Sequence, residues 1–145
     1  MNRAGAAPGV VGALLLLQLV VLRVVASADA QRVFVFGREL HWGCWFRERF
    51  GVPCPTCGMT RSTLLAVHGQ LGAAWHLNPA GALLAPGLFV FACALLFLAC
   101  YQLTHPARDA GRMHAHLRRL TSAYAALFVA VLVGHWLLAV ATGGS

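Results

Sequence analysis

From Ala80 to Leu103 the chain runs without a single Asp, Glu, Lys or Arg. About 20 mostly apolar residues in helix cross a hydrocarbon core, and in lipid only a helix or a closed barrel satisfies its own backbone. The stretch therefore predicts a transmembrane helix. Two others share its character. Val10 to Ala28, VVGALLLLQLVVLRVVASA, carries one charge, Arg23, near its end, and Leu120 to Thr142 is apolar apart from His135 and a few hydroxyls. The first has a rival reading, because Arg3, the run Val10 to Leu22 and the small residues Ala26-Ser27-Ala28 also follow the order of a secretory signal peptide. Apolar character resumes at Val24-Val25, past the roughly 7–15 residues such a signal needs, which favours a retained helix. Composition agrees: 59% of the 145 residues are hydrophobic and 10% charged, against about 25% charged in a soluble domain. The expectation is an all-α membrane protein forming one domain over 1–145, with spans near 10–28, 80–103 and 120–142 and a Cys-rich cap over 29–79.

The net charge is +7, and every basic residue is Arg. Apart from Arg3 and Arg23, these arginines fall in the connections between apolar runs, where they meet the bilayer's anionic headgroups. Lipid is thus the expected partner, together with other membrane proteins, and nucleic acid is disfavoured. Arg108, Arg112, Arg118 and Arg119 crowd the connection Thr104 to Arg119, which places it in the cytoplasm by the positive-inside rule. The cap then faces outward, although it holds five arginines of its own: Arg32, Arg38, Arg47, Arg49 and Arg61.

Within the cap, Val33-Phe34-Val35-Phe36 alternates too briefly to separate a strand from an interfacial segment. His41, Trp42, Cys44, Trp45 and Phe46, mixed with Arg38, Arg47 and Arg49, have the composition of a membrane interface. A helix is expected from about Thr60 to His76, closed by Asn78-Pro79. Leu64, Val67, Leu71 and Trp75 would line one face, and Ala66, Gly69 and Ala73 a narrower one open to close approach. At about 25 Å it is short for a crossing and reads as an interfacial or re-entrant amphipathic helix. His68 and His76, two turns apart, would share a face.

The segment Gly51 to Ser62, GVPCPTCGMTRS, carries the chemistry. A Cys-x-x-Cys bounded by Pro and Gly makes a tight turn that directs both sulfurs the same way. Three readings stand. In the first, Cys44, Cys54 and Cys57 with His41 form a tetrahedral zinc site. In the second, Cys54 caps the following helix and is the attacking thiolate, with Cys57 resolving, as in a thiol-disulfide oxidoreductase. In the third, the cysteines are a stable disulfide or small buried residues framing a turn. Cys44 is expected to fold back onto the pair. Thr60, Arg61 and Ser62 at the helix start offer a guanidinium, two hydroxyls and backbone N–H groups to an anion such as a lipid phosphate; the plainer reading of Arg61 is an interface anchor. Cys93 and Cys100 in the second span read as small hydrophobes, and His135 in the third is a polar group that must face the bundle. With only Asp29, Glu39, Glu48 and Asp109 as acids, paired-carboxylate catalysis is disfavoured.

GVPCPTCGMTRS, followed by Leu64-Leu65-Ala66, Gly69, Ala73-Ala74-Trp75 and Asn78-Pro79, resembles a family of small bacterial membrane proteins catalogued as a domain of unknown function and marked by a C-P-x-C-G-x-T-R signature. The likeness covers about His41 to Gly81, and Cys44 occupies the place where members carry an upstream cysteine. It implies a multi-pass protein of the bacterial inner membrane and supplies no activity. The leading expectation is a structural or accessory interaction module; a membrane thiol-disulfide oxidoreductase and a zinc-binding module are the alternatives.

Overall fold

The computed structural model describes residues 3–29, 31–40, 44–51, 54–104 and 107–142. Among the described residues, three helices are long and apolar enough to cross a membrane: α1 (Arg3–Val25), α5 (Pro79–Thr104) and α6 (Ala107–Ala141). Between α1 and α5 lie β1 (Ala26–Ala28), β2 (Val33–Val35), β3 (Arg38–Leu40), α2 (Trp45–Phe50), α3 (Met59–Val67) and α4 (Leu71–Leu77). The expected Arg-rich connection is mostly helix, because α5 extends to Thr104 and α6 starts at Ala107, so Arg112, Arg118 and Arg119 ride on the first turns of α6.

Helix α5 is the hub, packing against α1, α3, α4 and α6. It runs antiparallel to α1, and small residues set the approach. A Cβ on Gly12 would stand 2.9 Å from the Ala92 carbonyl oxygen, and one on Gly9 would stand 3.2 Å from the Ala99 methyl. This is the packing expected where lipid tails supply no hydrophobic drive between helices and van der Waals fit must do the work. On the other side of α5, the Tyr124 hydroxyl of α6 donates to the Leu83 carbonyl, one turn before Pro86, a residue with no N–H for the helix ladder.

The alternating segment expected around residues 33–36 is a strand. β1, β2 and β3 form an antiparallel sheet in that order, pairing Ala26 with Val35 and Val33 with Leu40. Phe36 and Gly37, both at positive φ, make the tight turn between β2 and β3. Asp29 closes the other turn: its Oδ1 accepts the N–H groups of Gln31 at 2.7 Å and Arg32 at 2.6 Å. Those bonds hold its carboxyl below the usual range, helped by the nearby charges of Arg32 and Arg61.

The single helix expected over 60–76 is two. α3 stops at Val67 because Gly69 takes φ +82°; the Gly69 N–H then bonds Ala66 O at 3.0 Å, and the Gln70 N–H bonds Leu65 O at 2.9 Å, a Schellman ending. α4 returns antiparallel to α3, so the pair is a hairpin beside the first turns of α5. Leu65, Ala66, Ala74, Ala82 and Ala85 form its core. The break also undoes the expected faces: Leu64 is buried, whereas Leu71 and Trp75 are exposed. His68 and His76 end on different elements, with His68 Nε2 donating to Ala26 O at 2.9 Å. Nothing lies within 4 Å of a Cβ on Gly69 or on Gly72, so the two positions separate backbone strain from packing. Gly69→Ala is expected to lose about 1 kcal/mol of stability to left-handed strain. Gly72→Ala, inside α4, is expected to gain about 0.5 kcal/mol. Thermal unfolding in detergent checks both, and equal shifts in one direction would contradict the assigned turn.

Candidate cysteine centre

Each cysteine of the cluster is placed by a local backbone device. Cys44 precedes α2, and its carbonyl accepts the Glu48 N–H at 3.0 Å. α2 is held by its aromatic rings, Trp45 edge-on to Phe50 and Phe46 tilted against it at 4.9 Å. In the knuckle, the Cys57 N–H bonds Cys54 O at 3.1 Å, and the Met59 N–H bonds Thr56 O at 3.0 Å. Gly58 then takes φ +78° and is the N-cap of α3, with no side-chain cap. The expectation that Cys54 caps this helix is therefore corrected: the Cys54–Cys57 and Thr56–Met59 turns intervene, and α3 starts at Met59, two residues past Cys57.

The sulfurs converge. Sγ of Cys44, Cys54 and Cys57 all lie within 4.8 Å of one another, half-buried. The Cys57 thiol donates to Cys44 Sγ at 3.2 Å, and Cys54 Sγ is 3.1 Å from the Thr56 hydroxyl. All five cysteines are free thiols in the structure, and the sulfur in hydrogen-bond geometry with Cys57 is that of Cys44. Burial, then the bond to Cys44, pushes the Cys57 thiol up to about 11. His41, the expected fourth zinc ligand, lies outside the described residues.

A polar lock behind the knuckle escaped sequence reasoning. Asn78 and Ser62 are fully buried. Asn78 Nδ2 donates to Cys57 O at 3.1 Å, while its Oδ1 accepts the Gly81 N–H at 3.1 Å. The Ser62 hydroxyl lies 2.8 Å from Ala74 O and 2.7 Å from Asn78 O. The Thr63 hydroxyl adds a bond to Met59 O at 2.8 Å. These bonds join α3, α4 and the start of α5 and fix the carbonyl of Cys57. Of the three residues singled out for an anion, Ser62 faces this interior, Thr60 is exposed and Arg61 is half-buried near Asp29. The signal for the lock was Asn78-Pro79: Pro79 opens α5 at a position where its missing N–H costs nothing, and Asn78 stays extended before it. Cys93 and Cys100 are exposed on α5, away from the cluster.

Sulfur chemistry sorts the uses of such a centre. Zinc held by thiolates at about 2.3 Å in a tetrahedron sets its sulfurs about 3.8 Å apart, a spacing bracketed by the 3.2 Å Cys57–Cys44 approach and the 4.8 Å limit of the cluster. The Cys57 thiol, pushed up to about 11, stays protonated at neutral pH and must lose its proton to act either as a zinc ligand or as an attacking thiolate. No curated protein and no solved structure matches the chain. Over residues 44–92, which begin at the first cysteine of the cluster, contain the α3–α4 hairpin and end within α5, the chain is similar to the family described as protein of unknown function (DUF2752).

Proposed function

We propose that this chain is a small multi-pass protein of the bacterial inner membrane whose outward-facing cap binds one zinc ion through Cys44, Cys54 and Cys57 and serves as an accessory interaction module. The observation that carries the reading is the convergence of three sulfurs within 4.8 Å of one another. Three thiolates are a donor set that zinc prefers. A metal on them ties α2 to the knuckle and, through Cys57 O, to the buried lock, so its role is structural. His41, three residues before Cys44 in the sequence, is the fourth donor expected from the residue pattern. Uptake releases thiol protons, so occupancy falls as the medium becomes acid.

A second reading rests on the 3.2 Å approach of Cys57 to Cys44. A disulfide needs about 2.05 Å. Closing the gap oxidises both thiols, sending two electrons and two protons to a quinone or a thioredoxin-like disulfide. The pair would then be Cys44–Cys57.

The deciding measurement is metal by elemental mass spectrometry alongside thiol titration of the purified full chain. One zinc per chain, lost in each of Cys44→Ser, Cys54→Ser and Cys57→Ser, is the expected result. Metal-free protein that retains its thermal stability and carries a Cys44–Cys57 disulfide would replace the zinc reading with the redox one.

A further inference from the structure

A cavity of about 490 Å³ opens where α1, the tip of the α3–α4 hairpin and α5 meet, within the roughly 300–1,000 Å³ of ligand sites. Leu16 and Val20 of α1, Val67 of α3, and Ala85 and Phe89 of α5 supply its apolar wall. One charged side chain lines it: Arg23. Its Nη1 donates to Val67 O at 2.6 Å. At the end of α3, Leu64 O takes the His68 N–H, Leu65 O that of Gln70 and Ala66 O that of Gly69. These leave Val67 O, the carbonyl of the last helical residue, for Arg23. A guanidinium carries five N–H donors and this bond uses one. Arg23 is exposed, and a cation at the edge of a membrane-spanning segment, against an apolar wall, is placed to pair with an anionic headgroup.

The polarity of the groove has a direction. Arg23 lies in the last turn of α1, at the cap end, while Leu16 lies seven residues back along α1, about 10 Å deeper. Phe89 lies correspondingly further down α5 than Ala85. Charge at the rim and hydrocarbon below is the layout of one amphiphile, headgroup up and tail down. We propose that the groove binds an anionic phospholipid of the surrounding bilayer, with its phosphate on the Arg23 guanidinium and one acyl chain along Leu16, Val20 and Phe89. Bidentate guanidinium–phosphate pairing supplies the headgroup selectivity. This site is separate from the cysteine cluster and stands whether or not the cap holds zinc.

The test uses the full chain in mild detergent, equilibrated with equal amounts of phosphatidylglycerol and phosphatidylcholine bearing the same acyl chains, with retained lipid counted by native mass spectrometry. The expected result is a preference of about tenfold for phosphatidylglycerol, equivalent to about 1.4 kcal/mol. Arg23→Gln is expected to abolish the preference. Val20→Trp, which fills the groove and leaves the Arg23–Val67 bond in place, is expected to lower retention of both lipids, and Arg112→Gln to leave both unchanged. Thermal unfolding of the same samples identifies any variant that fails to fold, and Val20→Trp keeps the test decisive if Arg23→Gln does. A photo-crosslinking residue at position 16 should yield a lipid adduct. Equal retention of the two lipids by the unaltered chain, a loss in Arg112→Gln matching that in Arg23→Gln, unchanged retention in Val20→Trp, or a crosslink to a second copy of this chain would each overturn the proposal.

Discussion

Gly81→Ala is expected to cost about 2–6 kcal/mol and to loosen the whole cap. A Cβ on Gly81 would stand 2.6 Å from the Met59 carbonyl oxygen and 2.8 and 2.9 Å from Cβ and Oγ of Ser62. The nearest atom is backbone, with no rotamer to swing away, so α3 must back off from α5. Overpacking of this kind costs about 1–3 kcal/mol. The retreat also pulls the buried Ser62 hydroxyl from Ala74 O and Asn78 O, and leaving such groups unpaired adds about 1–3 kcal/mol. Gly111→Ala, where nothing lies within 4 Å, is the matched control. Thermal unfolding in detergent compares the two, and an unchanged Gly81→Ala protein would mean that α3 does not pack on α5 as described.

Asn78→Leu should be comparably damaging for the opposite reason, because it preserves volume and removes polarity. The side chain has no exposure to solvent and bonds a carbonyl and an N–H at once. Leucine fills the space but leaves Cys57 O and the Gly81 N–H without these partners, at about 1–3 kcal/mol each. Asn78→Asp keeps the acceptor toward Gly81 yet turns an oxygen toward Cys57 O, so it should be no better. Because the bond to Cys57 O pins the knuckle, both variants should also speed alkylation of Cys57 in metal-free protein. A variant with normal stability and normal Cys57 reactivity would remove Asn78 from the lock.

The three long apolar helices were legible because each is a property of one continuous stretch, and a charge-free run such as Ala80 to Leu103 has no other home; their ends were not, since the first stops at Val25, where Ala26–Ala28 pairs as β1, and the third begins at Ala107. The meeting of Cys44 with Cys54 and Cys57 was legible too, since the segment Trp45 to Pro53 is long enough to fold back onto a knuckle whose direction its prolines fix. The break in the hairpin was not. Leu64, Val67, Leu71 and Trp75 keep helical spacing straight across it, and a glycine within a helical pattern becomes a terminus only when its N–H and the next find carbonyls behind them, as Gly69 and Gln70 do. The three-residue strands β1 and β3 are shorter than any periodicity can register. Ser62 looked like half of an anion site because its hydroxyl sits next to Arg61 in sequence, whereas helical geometry turns it toward Ala74, 12 residues away. Arg23 read as a charge near a helix end; its partner carbonyl is 44 residues distant, and no local rule connects them.

The spacing of partners along the chain also sets an order of assembly. Ser62 and Asn78 are 16 residues apart, and Asn78 and Cys57 are 21, so the hairpin can lock onto the first turns of α5 with short loops to close. Arg23 to Val67 spans 44 residues and Tyr124 to Leu83 spans 41, and closing longer loops costs more chain entropy. The locked hairpin is thus expected to form first, with α1 and α6 docking against it afterwards. During synthesis Arg23 is made 44 residues before Val67, so the cap of α3 exists well before the helix end it completes.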